Sequence, residues 1–309
     1  MSTDRSDPSL AYTLPFQLTK KIHRKVTKDL SPENEDNSQR GKIVVITGGG
    51  TGIGEAAAQV WVRASADGVV IAGRRKEKLD QAIRKMEDLN KGTTKVLAIQ
   101  TDITVYHEVK NLFEQVNKVF GRPADVVIAN AGVVSDIKPM AEESASTWWS
   151  IYEINVLGLR NTVTAWINSQ PDPKTPLGTV MNVNSGLAGM VEPGMSSYST
   201  AKLAAHRYME YVEAEYPGIR SFTVLPGIVP TDINPNTLSA FAEYAKDEAE
   251  QTGALALYLA SSRADYLKGS LTSVNWDLAE MEARRDEIEH GMLKIKWVPI
   301  LPVSGGSGF

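Results

Sequence analysis

Two periods of apolar positions alternate along this chain. Short, continuous apolar runs rich in β-branched residues come first: IVVIT (43–47), VVIAG (69–73), VLAIQ (96–100) and DVVIANAG (125–132). Between them lie longer stretches with apolar residues every three or four positions: GEAAAQVWVRA (54–64), KEKLDQAIRKMEDL (76–89) and YHEVKNLFEQVNKVF (106–120). Continuous runs suit strands buried on both faces, and the longer period suits helices. The alternation continues through a long helix at 147–167, a strand at 179–185, a helix at 198–216 and a strand at 220–227. Residues 242–261 read as helical, in one piece or two, and SLTSVNW (270–276) as a final strand. Strand–helix units of about thirty residues build parallel crossovers. The pattern predicts an α/β fold, a Rossmann-type doubly wound parallel sheet of about seven strands in a single domain.

The ends have a different texture. Residues 1–40 carry Pro8, Pro15, Pro32 and the polar stretch SPENEDNSQR, and read as an N-terminal extension outside the main domain. Within it the basic cluster KKIHRKVTK (20–28) reads as a solvated arm. The domain then runs over 41–279, and 280–309 forms a C-terminal tail. Its apolar stretch WVPILPV (297–303) is expected to pack on the body or on a partner subunit.

Composition narrows the chemistry. The 309 residues hold 33 basic and 37 acidic side chains, a net charge of −4, which leaves no electrostatic footprint for nucleic acid. There is no cysteine, which removes thiolate nucleophiles and Cys-ligated zinc. The four histidines, His23, His107, His206 and His290, are scattered, so no metal site is expected. No apolar run is long enough to span a membrane, and no signal-peptide core precedes residue 30. The cytoplasm is the expected compartment.

Acid–base chemistry must therefore come from elsewhere. Thr47-Gly48-Gly49-Gly50-Thr51-Gly52-Ile53-Gly54 sits between the first strand and the first helix. Glycine lets backbone approach a phosphate closely, and the helix N-terminus supplies N–H groups and positive potential. At the end of the second strand, where NAD-binding folds place a carboxylate for the ribose, the chain has Gly73, Arg74 and Arg75. Guanidinium favours a 2′-phosphate, so the expected cofactor is NADP(H), held by Arg74 and also by Arg75. Tyr198 and Lys202 are four apart and share a helical face, where an ammonium lowers a phenol's pKa. Ser185 ends the fifth strand, where a hydroxyl can donate to a developing oxyanion.

TGxxxGxG, the NAG segment, the interval of 13 between Ser185 and Tyr198, and YSTAK together resemble the short-chain dehydrogenase/reductase family over about residues 41–277. The resemblance implies a catalytic tetrad of Asn155, Ser185, Tyr198 and Lys202, with Asn155 holding a water that links the lysine to solvent. It implies that Asp102 and Ile103 hold the adenine and that Asn130, Ala131 and Gly132 pass beneath the ribose. It implies that Pro226, Gly227, Val229 and Thr231 cover the nicotinamide, and that Tyr198 and Lys202 also contact the cofactor. The seventh strand ends Asn275-Trp276-Asp277, without the family's common DGG-like turn. That ending and the N-terminal extension look like a fungal subgroup.

The implied activity is hydride transfer between NADP(H) and a ketone or secondary alcohol. An apolar wall from Leu187, Met190, Met195, Leu238 and Phe241 suggests a lipophilic or cyclic small molecule from polyketide- or terpenoid-type biosynthesis. Glu192 is expected at the surface. Non-redox cyclisation, elimination or epimerisation on the same scaffold is the alternative, with NADP bound structurally. Assembly as a homodimer or homotetramer is the family habit, through the 106–120 and 147–167 helices. Trp148 and Trp149 would serve that interface or the core.

Overall fold

The computed structural model describes residues 4–90, 92–231 and 233–295, without the side chain of Leu238. The stretch at 297–303 lies outside the described residues. Seven strands form one parallel sheet: β1 (Ile43–Thr47), β2 (Gly68–Gly73), β3 (Lys95–Gln100), β4 (Val126–Ala129), β5 (Gly178–Val183), β6 (Ile219–Leu225) and β7 (Leu271–Ser273). Their order is β3-β2-β1-β4-β5-β6-β7. The chain winds outward from β1 in one direction and from β4 in the other. The strand ends at this reversal are where a doubly wound sheet opens its ligand crevice.

Both faces of the sheet are covered. Val44 and Ile46 of β1 join one apolar cluster, and Ile43 and Val45 join the other, as the two-residue period of a strand dictates. The first cluster is capped by α1 (Gly52–Arg63), α2 (Lys76–Leu89) and the later helix Glu250–Leu259. The second is capped by α3 (Tyr106–Phe120), by the long helix, and by the helix carrying Tyr198. Trp61 and Trp166, one in each cluster, are fully buried. Truncating either to alanine costs about 3–5 kcal/mol.

Two sequence readings change in detail. The long helix is α4 (Ala145–Tyr152) and α5 (Gly158–Asn168), joined by a π-turn over Glu153–Leu157. The region 242–261 is helical only in its second half. It begins with turns, preceded by α7 (Pro235–Ala240), and becomes α8 over Glu250–Leu259. Between α5 and α7 lies α6 (Ser196–Glu215). Trp148 and Trp149 are not core residues. With Tyr152 they form a stacked row, and Trp149 is more than half exposed.

A third reading is overturned. Described residues of the N-terminal extension do not stand outside the domain. Leu10, Ile22 and Leu30 are buried, as are Arg24, Asn37 and Gln39. Ile22 forms an antiparallel bridge with Trp276 just beyond β7, and Gln39 donates to the carbonyl of Leu257 in α8. The basic cluster is no solvated arm either, because its apolar and guanidinium members face inward and only its lysines point out. His23 contacts Asp277 at 2.9 Å. Segment polarity suggests solvation, but the Arg24 guanidinium and the amide nitrogens of Asn37 and Gln39 each find specific acceptors, which permits their burial.

Candidate functional site

The turn after β1 is set by backbone conformation. Gly48 has φ +68, and a Cβ there would lie 2.9 Å from Ala131 Cα. Only glycine takes that path without strain. Thr47 is buried, and its hydroxyl accepts from the backbone N–H groups of Asn130 and Ala131, both at 3.1 Å. Asn130 Nδ2 returns two bonds, to the carbonyls of Thr47 and Gly48. The Thr47 side chain locks the end of β1 to the end of β4. Gly54 likewise lies beneath the turn and not in the groove wall.

A groove of about 310 Å³ opens above this turn. Its walls include Gly48, Gly50, Thr51, Gly52 and Ile53, then Arg74 and Arg75, then Asp102 and Ile103, then Asn130, Ala131 and Gly132, and Thr231. Thr51, the N-cap of α1, makes no side-chain capping bond, so the first-turn N–H groups of α1 have no side-chain acceptor there. With Arg74 and Arg75 exposed at the rim, and Arg75 reaching Thr51 Oγ1 at 3.3 Å, the residues fit an anionic dinucleotide. Lys78, on the first turn of α2, adds a third cation to the same wall. The sequence reading did not name Lys78; its place one helical turn after the arginines was the available signal. Among the described residues Asp102 is the one carboxylate in the wall, and its Oδ1 accepts from the backbone and hydroxyl of Thr104.

The four tetrad candidates converge. Ser185 follows β5, and Asn184 Oδ1 accepts its backbone N–H at 2.8 Å while Asn184 Nδ2 donates to Lys202 O at 3.0 Å. One asparagine thus ties the serine's strand end to the lysine's helix. Tyr198 lies on the first turn of α6, its hydroxyl hydrogen-bonded to Ser185. Lys202 Nζ sits 5.7 Å from the Tyr198 ring centroid and donates to Val183 O at 3.0 Å. Asn155 sits in the π-turn. Its Nδ2 donates to the carbonyls of Ile151 and Val133, both at 2.9 Å. A Cβ on Gly132 would lie 2.8 Å from Asn155 Oδ1 and 3.4 Å from Lys202 Nζ, so both polar ends flank that glycine.

Burial controls the charges. Tyr198 and Lys202 are both buried. Burial pushes the Tyr198 hydroxyl up to about 12, and its bond with Ser185 pulls the other way. Burial brings Lys202 down to about 8. Burial thus disfavours both charged forms relative to their ordinary values, but at neutral pH Lys202 still keeps its proton and Tyr198 stays neutral.

A second cavity of about 200 Å³ adjoins the groove. Ile53, Thr231 and Ile233 line both spaces, so the two meet there. Ser185 and Tyr198 face the second cavity, with Pro226, Gly227 and Val229 along one side. Gly227 has φ +74, and a Cβ there would lie 2.6 Å from the Asp247 carboxylate. The expected apolar residues Leu187, Met190, Met195 and Phe241 do line the cavity; the side chain of Leu238 lies outside the description. Tyr12, Thr13 and Phe16 line it too. Sequence reasoning missed these three because nothing local marks an aromatic residue in a proline-interrupted segment as a pocket wall. Glu192 is half-buried, and after burial itself this carboxylate is what raises the Tyr12 hydroxyl above the ordinary phenol range.

Among the described residues no three or more metal-ligating side chains cluster, and no helix is long and apolar enough to cross a membrane. The chain is 31% identical over 292 residues to the short chain dehydrogenase pigC of Monascus ruber, covering 92% of this chain and 94% of that protein. It is 31% identical over 270 residues to the short chain dehydrogenase citE of Monascus ruber, covering 84% of this chain and 90% of that protein. Among solved structures it resembles a short-chain type dehydrogenase/reductase from Mycobacterium marinum. The TM-score is 0.69 at 26% identity, over 77% of this chain and 95% of that one. A short chain dehydrogenase family profile matches residues 42–240, the span that holds the glycine turn and the Ser185–Tyr198–Lys202 cluster. On that match the chain belongs to the short-chain dehydrogenase/reductase family, whose enzymes are oxidoreductases using a nicotinamide cofactor and small-molecule substrates.

Proposed function

We propose that the chain is an NADP(H)-dependent oxidoreductase acting on a lipophilic or cyclic ketone or secondary alcohol, in polyketide- or terpenoid-type biosynthesis. The observation that carries this reading is the position of the Tyr198 and Ser185 hydroxyls. They face the apolar cavity, which meets the groove at Ile53, Thr231 and Ile233. When bound, the nicotinamide supplies or accepts the hydride. The chain's own groups handle the oxygen. Ser185 donates a hydrogen bond to the substrate oxygen, and Tyr198 delivers or removes its proton. The Lys202 ammonium favours the phenolate and so offsets what burial does to the Tyr198 hydroxyl. Asn155, through Val133 and Ile151, holds the wall behind the lysine.

Arg74, Arg75 and Lys78 support NADP(H) over NAD(H), because no carboxylate occupies the end of β2. Asp102 and Ile103 are assigned to the adenine, Asn130 to Gly132 to the ribose side, and the turn from Pro226 to Thr231 to the nicotinamide. The enzyme is further proposed to act in the cytoplasm as a homodimer or homotetramer.

The test is a titration of the purified chain with NADPH and with NADH, followed by a panel of ketones monitored at the reduced-nicotinamide absorbance. Tighter NADPH binding and ketone-dependent loss of absorbance are expected. Equal affinities would remove the NADP assignment. Product formation with constant absorbance would replace hydride transfer with non-redox catalysis.

A further inference from the structure

The N-terminal segment is fastened to the pocket's rim by one buried ion pair. Arg24 Nε donates to Asp247 Oδ1 at 3.3 Å, with both side chains buried. The same guanidinium donates to Ser9 Oγ at 2.6 Å and to the carbonyls of Ser9 and Tyr244, both at 3.2 Å. Asp247 also accepts from Ile228 N at 2.6 Å and from Asn275 Nδ2 at 2.8 Å. The pair therefore joins the N-terminal segment, the turn after β6, the loop before α8 and the end of β7. A second anchor is Trp276 Nε1, which donates to Phe16 O at 2.9 Å.

Between these anchors two aromatic rings reach the cavity. Phe16 packs on the segment between Ser185 and Tyr198; a Cβ on Gly186 or Gly189 would come within 2.7 or 3.0 Å of its ring. The Tyr12 ring meets Phe241 at 5.1 Å and Tyr244 at 4.9 Å, both edge-on. Burial and the Glu192 carboxylate of the opposite loop together raise its hydroxyl above the ordinary phenol range, so the two groups face each other. The two loops flanking the cavity are thus spanned by residues 12–16.

We propose that Tyr12 and Phe16 are specificity-determining residues of the pocket, and that they select aromatic carbonyl compounds over saturated ones of equal size. The proposal rests on the oxidoreductase reading above and adds the substrate class to it. Rings already present in the wall offer edges and faces to a further ring, a preference beyond area burial alone. Met190 and Met195 add polarisable sulfur to the same wall. A dry cavity of roughly 150 Å³ holds one benzene. About 200 Å³ beside Tyr198 therefore has room for one aromatic ring with a few further carbons.

The experiment compares 1-tetralone with 1-decalone, using NADPH and the full-length chain. The native chain is expected to favour 1-tetralone about fivefold or more in kcat/KM. Phe16→Ala, Phe16→Leu and Tyr12→Leu are expected to bring the ratio close to one, through KM, with kcat within about twofold. The leucine variant at Phe16 keeps apolar contact with Gly186 and Gly189, and an unchanged NADPH Kd reports an intact fold. A ratio that survives all three variants overturns the proposal. If the native chain reduces neither ketone, the oxidoreductase reading fails on these substrates. The wall is then read by calorimetric titration of 1-tetralone into the NADP⁺-loaded chain. Binding weakened about fivefold by Phe16→Leu supports the proposal; equal binding, or none by the native chain, overturns it.

Discussion

The groove and the pocket share a border at Ile53, Thr231 and Ile233 but are built by opposite means. The groove is made almost wholly from the ends of β1, β2, β3 and β4 and the first residues after them. Sheet register fixes those ends, and the Thr47–Asn130 bonds tie the two central ones together. The pocket is made chiefly from four segments far apart in sequence, 12–16, 184–198, 225–241 and 273–275, with Ile53 and Val134 completing its wall. Its shape depends on side chains such as Arg24 and Asp247 finding each other across more than two hundred residues. What binds the common cofactor is local and backbone-based; what chooses the substrate is long-range and side-chain-based.

Substitutions can break that contrast at its shared border or on either side of it. Tyr198→Phe should act hardest. It removes the proton donor while keeping the ring, so kcat should fall about 10²- to 10⁴-fold with NADPH Kd nearly unchanged. Steady-state rates and a cofactor titration check both halves. Arg24→Met tests the pocket side. It leaves Asp247 buried without its cation, and burial already pushes that carboxyl above the usual carboxylate range. A loss of about 3–5 kcal/mol in urea unfolding is expected, with KM for substrate rising more than Kd for NADPH.

The pH profile of stability is the next largest effect. Folded Lys202 loses its proton near 8, whereas the unfolded residue does so near the ordinary lysine value of 10.5. The unfolded chain then binds more protons between these values. Stability should rise with pH across that window and be lost as pH falls through about 8. The shift corresponds to about 3 kcal/mol, and Lys202→Met should flatten the urea midpoint there. Above pH 10 the raised Tyr198 turns the slope downward, because there the folded chain holds the extra proton. The smallest expected effect is on the groove side: Arg74→Ala should reduce the NADPH-over-NADH preference about tenfold, for one lost charge-assisted contact. Competitive titration of the two cofactors measures it.

The same contrast explains what could be read in advance. Every strand was visible because buried parallel strands are continuous apolar runs, and their alternation with helices implied the sheet. Ser185, Tyr198, Lys202 and the glycine turn were visible because each is fixed by spacing along one or two elements. Residues 4–40 were misplaced because their burial depends on individually matched polar groups, such as Arg24 with Asp247 and Gln39 with Leu257 O. No periodicity announces such pairs. Asn184 was passed over for a related reason: its two bonds link β5 to α6, and only three dimensions bring those together. The pocket's outer wall at 12–16 also lies outside the 42–240 span of the family match.

The π-turn at Glu153–Leu157 has a consequence for how this helix can vary. A π-turn holds one residue more than an α-turn over the same rise. It therefore shifts the angular phase between α4 and α5 by roughly the 100° that one residue occupies on a helix. The stacked row of Trp148, Trp149 and Tyr152, of which only Trp149 is exposed, lies before the shift, and the buried face of Leu159, Val163 and Trp166 lies after it. Asn155 sits at the step, its amide donating back to Ile151 and across to Val133. Deleting any one residue between 153 and 157 would restore an ordinary α-helical phase. Either the asparagine or the buried face would then point the wrong way, so the length of this helix is fixed to a single residue.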